Sequence, residues 1–312
     1  GRSYETAVGS PATHSSKGHK KDTSLEMDED PDVDSDASSI EEVDMGRETT
    51  ANVTTPTGEG WNMSPSKMPS KGPSYILLAH PSGERTNHVQ CLIVREKSSN
   101  FFKKSGGSAY QLILEDSRKL LIVAKKMGMN RKSNFHLFDM TRGMAGSTAN
   151  LTKKSGNYVG KLKATNFDRT DYRIMTRSST REHIGTIGFE RAGLVSQMKE
   201  GSQPRRLTVR VPSLDANNVP KSVPENDALD RDRMGYDFHS KDPVFEKGNY
   251  RLNFKGRVSV PSVKNFQLVS PDDIDTIICQ FGKIGQDRFH LDFKAPLNAM
   301  QAFSLALAQF NL

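Results

Sequence analysis

The segment Pro296-Leu297-Asn298-Ala299-Met300-Gln301-Ala302-Phe303-Ser304-Leu305-Ala306-Leu307-Ala308-Gln309-Phe310 decides how the rest of the chain is read. Ala, Leu and Met dominate it, and all three are strong helix formers. Pro296 occupies an expected first helical position, where its missing N–H costs nothing. Apolar residues cover nearly the whole circumference instead of one stripe. Such a helix is either enclosed by protein or crosses a membrane. At about 15 residues, or roughly 22 Å, it is short for a bilayer. The segment therefore reads as a core helix surrounded on all sides, and a closed β-barrel is one of the few architectures that can do this.

The sequence upstream supplies the wall. From Val89 onward, short apolar runs alternate with turns of Gly, Ser, Asn and Asp. Strands are expected at Val89–Arg95, Ala109–Glu115, Lys119–Lys126, Phe135–Asp139, Tyr158–Lys163 and Tyr172–Thr176. Others are expected at Ile184–Phe189, Arg206–Val211, Tyr250–Phe254, Lys264–Val269, Asp275–Phe281 and Asp287–Phe293. Ile184 to Met198 could be strand or helix, and the glycines at 185, 188 and 193 favour strand and turn. About a dozen short strands with little helical periodicity between them predict an all-β barrel or sandwich.

Residues 1–72 read differently. Long apolar side chains are scarce, and Glu26 to Asp36 is an acidic block that repels itself and cannot build a core. A disordered acidic, Ser/Pro-rich tail over 1–72 and one globular domain over 73–312 are the expected organisation. Ser38 and Ser39 precede Glu41 and Glu42, a context open to acid-directed kinases and also common by chance. Val43, Asp44 and Met45 fit a short partner-binding helix; a purely solubilising tail fits equally. Trp61, the one tryptophan, sits in a linker punctuated by Pro56, Pro65, Pro69 and Pro73.

The chain carries 44 Lys+Arg against 37 Asp+Glu. The tail holds 7 basic and 14 acidic residues, a net of −7, which leaves 37 basic and 23 acidic, or +14, for 73–312. A domain this basic expects an anionic partner, such as membrane headgroups, nucleic acid or an acidic protein. Cys91 and Cys279 lie far apart in apolar runs and read as buried reduced thiols, not as a disulfide scaffold or a metal site. No span is long enough to cross a membrane and no signal peptide is visible, although a chain that starts at Gly1 makes the latter weak ground. The expectation is a cytoplasmic, monomeric protein, peripheral at the plasma membrane, with a cilium or the nucleus as alternative places of action.

Several stretches resemble the tubby family. Phe254-Lys255-Gly256-Arg257-Val258-Ser259-Val260-Pro261-Ser262-Val263-Lys264-Asn265-Phe266-Gln267 is similar to a strand pair near the end of the tubby domain. Ile278-Cys279-Gln280-Phe281-Gly282-Lys283 resembles the strand that follows, and Pro296–Leu307 resembles the closing helix. Cys91-Leu92-Ile93-Val94-Arg95-Glu96-Lys97-Ser98 and Tyr158-Val159-Gly160-Lys161-Leu162-Lys163 fit in order and spacing. The resemblance covers roughly 80–312. It implies a twelve-stranded barrel around a hydrophobic C-terminal helix, and it implies binding of phosphatidylinositol 4,5-bisphosphate in a basic surface pocket. In the family a Lys-x-Arg strand motif, an arginine opening a later strand and an asparagine in a Lys-x-Ser-Asn-like turn contact the headgroup. Lys161 and Lys163, Arg181 and Asn134 match them. The departure is Lys163, where many members have Arg; charge is kept and the bidentate fork is lost.

The residues support this chemistry directly. Lys161 and Lys163 alternate on a strand, so both project from one face about 7 Å apart, with Leu162 turned to the core. Lys125, Lys126, Arg131 and Lys132 form a basic stretch near Asn134 that extends the patch or is simply solvated. Phe101-Phe102 beside Lys103-Lys104 reads as a membrane-dipping loop or as a plug with charged flanks. His183 beside Arg181 reaches either a headgroup or a structural partner. Val195–Pro204 and Pro220–Pro243 depart from the family pattern and receive no role.

No HExxH, CxxC, GxSxG or phosphate-loop motif is present, so the reading is not an enzyme, with no cofactor and no metal. The rival is a nucleic-acid-binding regulator with an acidic activating tail. Against it, no recognition helix, zinc site or RNP-like aromatic pair is found. In the adaptor reading the tail recruits trafficking proteins while the barrel holds membrane cargo, as animal tubby-like proteins do for cilia.

Overall fold

The computed structural model describes residues 74–79, 88–96, 108–127, 134–142, 151–190, 206–227, 234–246 and 249–311. The expected tail, Trp61, the Phe101–Lys104 stretch, Arg131, Lys132 and Val195–Pro204 lie outside the described residues.

The strands are β1 (Val89–Glu96), β2 (Ala109–Leu114), β3 (Leu120–Met127), β4 (Asn134–Asp139), β5 (Tyr158–Ala164), β6 (Asp171–Thr176), β7 (Glu182–Phe189) and β8 (Leu207–Pro212). They continue as β9 (Val223–Pro224), β10 (Met234–Ser240), β11 (Val244–Glu246), β12 (Asn249–Arg251), β13 (Phe266–Ser270), β14 (Asp273–Gly285) and β15 (Arg288–Phe293), followed by α1 (Ala299–Asn311). Twelve of them form a closed antiparallel ring. Each barrel strand pairs with its neighbour in sequence, and β15 returns to pair with β1, Val89 facing Phe293 and Cys91 facing Leu291. Closure leaves the ring itself without an edge strand. The two-residue β9 is added outside the ring against the start of β7, and β11 with β12 makes a separate ribbon.

Period-two alternation places the core. Along β2 every second residue, Tyr110, Leu112 and Leu114, is buried, and β8 alternates buried Leu207 and Val209 with exposed Thr208 and Arg210. The inward rows meet α1, where Met300, Ala302, Phe303, Leu305, Ala306, Leu307 and Ala308 have no exposed surface. Burying each of the larger side chains stabilises the fold by about 1.5–3 kcal/mol. The helix start differs from expectation. Asn298, not Pro296, marks it: the Gln301 N–H donates to Asn298 Oδ1 (2.8 Å) and the Asn298 N–H donates to Gln301 Oε1 (3.1 Å). This reciprocal capping box satisfies the first orphan amides inside the barrel. Gln301 Nε2 also donates to the Ile184 carbonyl of β7 (2.8 Å), and Lys264 Nζ donates to the Gln309 carbonyl at the far end (2.7 Å), where a cation suits the helix dipole.

Three strand assignments are corrected. β10 was not expected, because polar Asp237 and His239 interrupt its run. Tyr250–Phe254 is not a barrel strand; only Asn249–Arg251 is extended, in the outer ribbon. β14 is longer than Asp275–Phe281 and bends through register shifts against both neighbours. Cys91 and Cys279 are free and fully buried in β1 and β14, on either side of β15. Burial pushes both thiols well above the usual range.

Candidate anion site on the outer face of β4 to β6

Register places the site. Lys163 faces Asn134 across the β4–β5 ladder and Arg173 across the β5–β6 ladder. One step of two residues away, Lys161 faces His136 and Met175. Leu162, between the two lysines, has no exposed surface and points into the core, so both lysines project outward, as period two requires. Lys125 belongs to the same outward row, facing His136 from β3.

Two cations directly opposed on neighbouring strands repel each other unless an anion lies between or beside them. Lys163 and Arg173 are such a pair. The structure supplies one partner from 62 residues downstream: Glu225 Oε1 lies 3.0 Å from Lys163 Nζ, with the two side chains only 14% and 26% exposed. Glu225 follows β9, and its N–H donates to the Arg181 carbonyl (2.8 Å). The same residue therefore ties together the lysine strand and the turn that carries Arg181. Arg181 is exposed, adopts a left-handed φ of 48° and immediately precedes β7. Glu182 beside it is held below the usual carboxylate range by hydrogen bonds from the Ser222 and Thr180 hydroxyls.

Asn134 is the first residue of β4, not part of a turn, and is 4% exposed. Its buried Oδ1 has no hydrogen-bond partner among the described residues. An unsatisfied buried amide costs about 1–3 kcal/mol, and few are left without a reason. Turning the amide about its last bond offers an N–H donor to the same space, next to Lys163. Asn134, Lys161, Lys163 and Arg173 can together present ammonium, guanidinium and amide donors to a phosphate-like anion.

Not every expected residue joins. Lys126 neighbours Lys125 in sequence but lies in the inward row with Phe135 and Leu162, and its Nζ sits over the Phe135 ring at 5.9 Å. The two lysines therefore do not form one patch. Burial lowers the pKa of both, with Arg169 adding to the effect at Lys126. His183 is fully buried and its Nε2 lies 3.4 Å from the Asp227 carbonyl, the structural partner and not a headgroup contact. Sequence reasoning missed Arg173 and Glu225. Arg173 alternates outward on β6 in the same way as the lysines on β5, a signal that was available. Glu225 falls in the Pro220–Pro243 stretch given no role, and nothing local marks it. Among the described residues no cluster of three or more His, Cys, Asp or Glu could hold a metal ion, and no helix is long and apolar enough to cross a membrane.

Comparison with known proteins agrees with this architecture. A family model described as Tub family matches residues 79–312. Tubby-related protein 1 of Mus musculus is 29% identical over 255 residues, covering 76% of this chain and 45% of that protein. Tubby-related protein 1 of Homo sapiens is 30% identical over 254 residues, with 76% and 45% covered. Tubby-related protein 2 of Mus musculus is 31% identical over 277 residues, with 80% and 48% covered. The chain thus spans about half the length of the curated relatives it matches. With a twelve-stranded closed barrel, an enclosed C-terminal helix and a family match over three quarters of its length, the chain belongs to the Tub family.

Proposed function

We propose that the outer face of β4 to β6 binds a phosphoinositide headgroup, phosphatidylinositol 4,5-bisphosphate first among them, and that the protein attaches peripherally to membranes as a non-enzymatic adaptor. One observation carries the reading: Lys161, Lys163 and Arg173 share one outward face beside Asn134, whose buried amide oxygen has no partner among the described residues. Lysine ammonium groups at that spacing suit adjacent ring phosphates, and Arg181 adds a planar fork at the edge. Each basic contact near an anionic membrane surface contributes on the order of 1 kcal/mol, so three or four give reversible attachment. The tail within residues 1–72 is the proposed contact for trafficking proteins, and the plasma membrane or a cilium the proposed place of action.

The test is sedimentation of the full chain with vesicles that differ only in phosphoinositide headgroup, at about 150 mM salt, where diffuse attraction is screened. Lys161→Ala/Lys163→Ala runs alongside. Headgroup-selective binding that the variant loses is expected. Equal binding to all anionic vesicles, unchanged in the variant, leaves only a basic surface. No binding at all removes the lipid reading and brings nucleic acid forward. Deleting 1–72 tests the adaptor role: unchanged partners and localisation would end it.

A further inference from the structure

We propose that Glu225 is an internal counter-ion that occupies the place of a phosphate at Lys163 and must be displaced when the ligand binds. The inference rests on the headgroup reading above and names what sets the affinity of that site.

The geometry separates Glu225 from an ordinary surface ion pair. Exposed pairs are weak because water solvates both partners. Here both side chains are sheltered, and the carboxylate sits 3.0 Å from Lys163 Nζ. The segment that delivers it is an addition to the barrel and not part of its wall. Val223 and Pro224 pair with His183 and Glu182 outside the closed ring. The Glu225 N–H donates to the Arg181 carbonyl, and the Asp227 N–H donates to the Pro224 carbonyl (3.0 Å), which makes a short strap. Val223 is 5% exposed and anchors it. The Ser222 hydroxyl also donates to Glu182 and His183 Nε2 meets the Asp227 carbonyl, but all of these contacts lie at the edge of β7, so the strap can shift without opening the ring.

The electrostatics set its role. Lys163 lies directly opposite Arg173 on β6, with Asn134 facing it on β4, so two cations border the position beside Lys163 and favour an anion there. Glu225 fills it with one negative charge. A phosphate brought to the same ammonium meets that carboxylate at short range. At a partly buried site two like charges about 4 Å apart repel strongly, so the carboxylate must leave or the phosphate cannot seat. Glu225 therefore lowers affinity for any ligand that needs Lys163. A ligand held only through Lys161 and Arg181 escapes the competition.

The experiment compares wild type with Glu225→Gln, which removes the charge and keeps the shape. Two readouts are taken on the full chain. One is binding to vesicles containing phosphatidylinositol 4,5-bisphosphate, and the other is the urea midpoint. Opposite signs are expected: binding tightens on the order of tenfold while the urea midpoint falls, because the ion pair is lost. Hydrogen exchange at residues 223–227 should also rise when vesicles are added to wild type. A residue that merely positions Lys163 would give weaker binding together with lower stability. That result, or unchanged binding, overturns the inference while wild-type binding and its loss in Lys161→Ala/Lys163→Ala keep the headgroup reading intact. If wild type and Glu225→Gln both fail to bind, the headgroup reading itself falls, and this inference with it.

Discussion

Replacing Gly160 with alanine tests how tightly the barrel wall and the central helix are fitted together beneath the candidate site. Gly160 precedes Lys161 on β5 and has a φ of 153°, a conformation side chains rarely adopt. A Cβ built there would lie 2.0 Å from the Met175 carbonyl oxygen of β6 and 3.0 Å from Met300 Cε of α1. The carbonyl belongs to the backbone, so relief requires β5 and β6 to part by about 1 Å, and α1 blocks the inward direction. Overpacking of this kind costs about 1–3 kcal/mol, and forcing a side chain into a glycine-only backbone region adds about 1–3 kcal/mol. A loss of about 4 kcal/mol is therefore expected, a large share of the 5–15 kcal/mol typical of a domain. Gly285→Ala is the control, since nothing among the described residues lies within 4 Å of a Cβ at that position. The assay is urea unfolding followed by circular dichroism, in which a change of this size moves the midpoint by about 1 M or more. Because Lys161 is the next residue, vesicle binding should fall along with stability. A loss below about 1 kcal/mol, or equal losses at Gly160 and Gly285, would refute the reasoning.

Arg257 donates to both carboxylate oxygens of Asp292 (2.8 and 2.6 Å) and of Glu115 (3.2 and 2.7 Å), and Asp292 is 1% exposed. Arg257→Ala strands a buried charge and is expected to cost about 3–5 kcal/mol, read from thermal melts; Asp292→Asn added to it should restore part of the loss. His183 and His88 are both held below the ordinary imidazole pKa, in each case chiefly by burial, with the Arg173 cation adding to the effect at His183. The native state keeps these rings neutral while the unfolded chain protonates near 6.5, so their contribution is intact above that pH and is lost as pH falls below it toward the depressed native values. Urea midpoints at pH 7.5 and 5.5 should show the drop, and His183→Gln should shrink the difference between them; an unchanged difference would count against the argument. Cys91 and Cys279 should resist a thiol reagent until urea unfolds the chain, because each is fully buried with its thiol pKa raised; rapid labelling of the native protein would contradict the packing.

Much of the fold was legible because its signals are local. An apolar circumference at helical spacing marks a surrounded helix wherever it occurs, and α1 is enclosed as that pattern requires. Period two turned Lys161 and Lys163 to one face without knowledge of any partner strand. The same rule could have found Arg173. It failed at β10, where polar residues face outward from a strand whose apolar content is low, and at Tyr250–Phe254, where an apolar run lies outside the barrel.

What only the tertiary structure decided involves partners far apart in the chain. Lys163 reads as a free cation until pairing brings Glu225 to it across 62 residues, and Arg257 reads as an ordinary loop arginine until Glu115, 142 residues away, meets it. Lys125 and Lys126 look like one basic patch until the strand pleat sends them to opposite sides of the wall. Asn134 looks like a turn residue until the register sets it, buried, against Lys163, its side-chain oxygen without a partner among the described residues. Periodicity is a property of neighbouring residues and can be read from them. Which strand lies beside which, and in what register, is selected by burial and hydrogen bonding summed over the whole closed sheet, and no single segment carries that information.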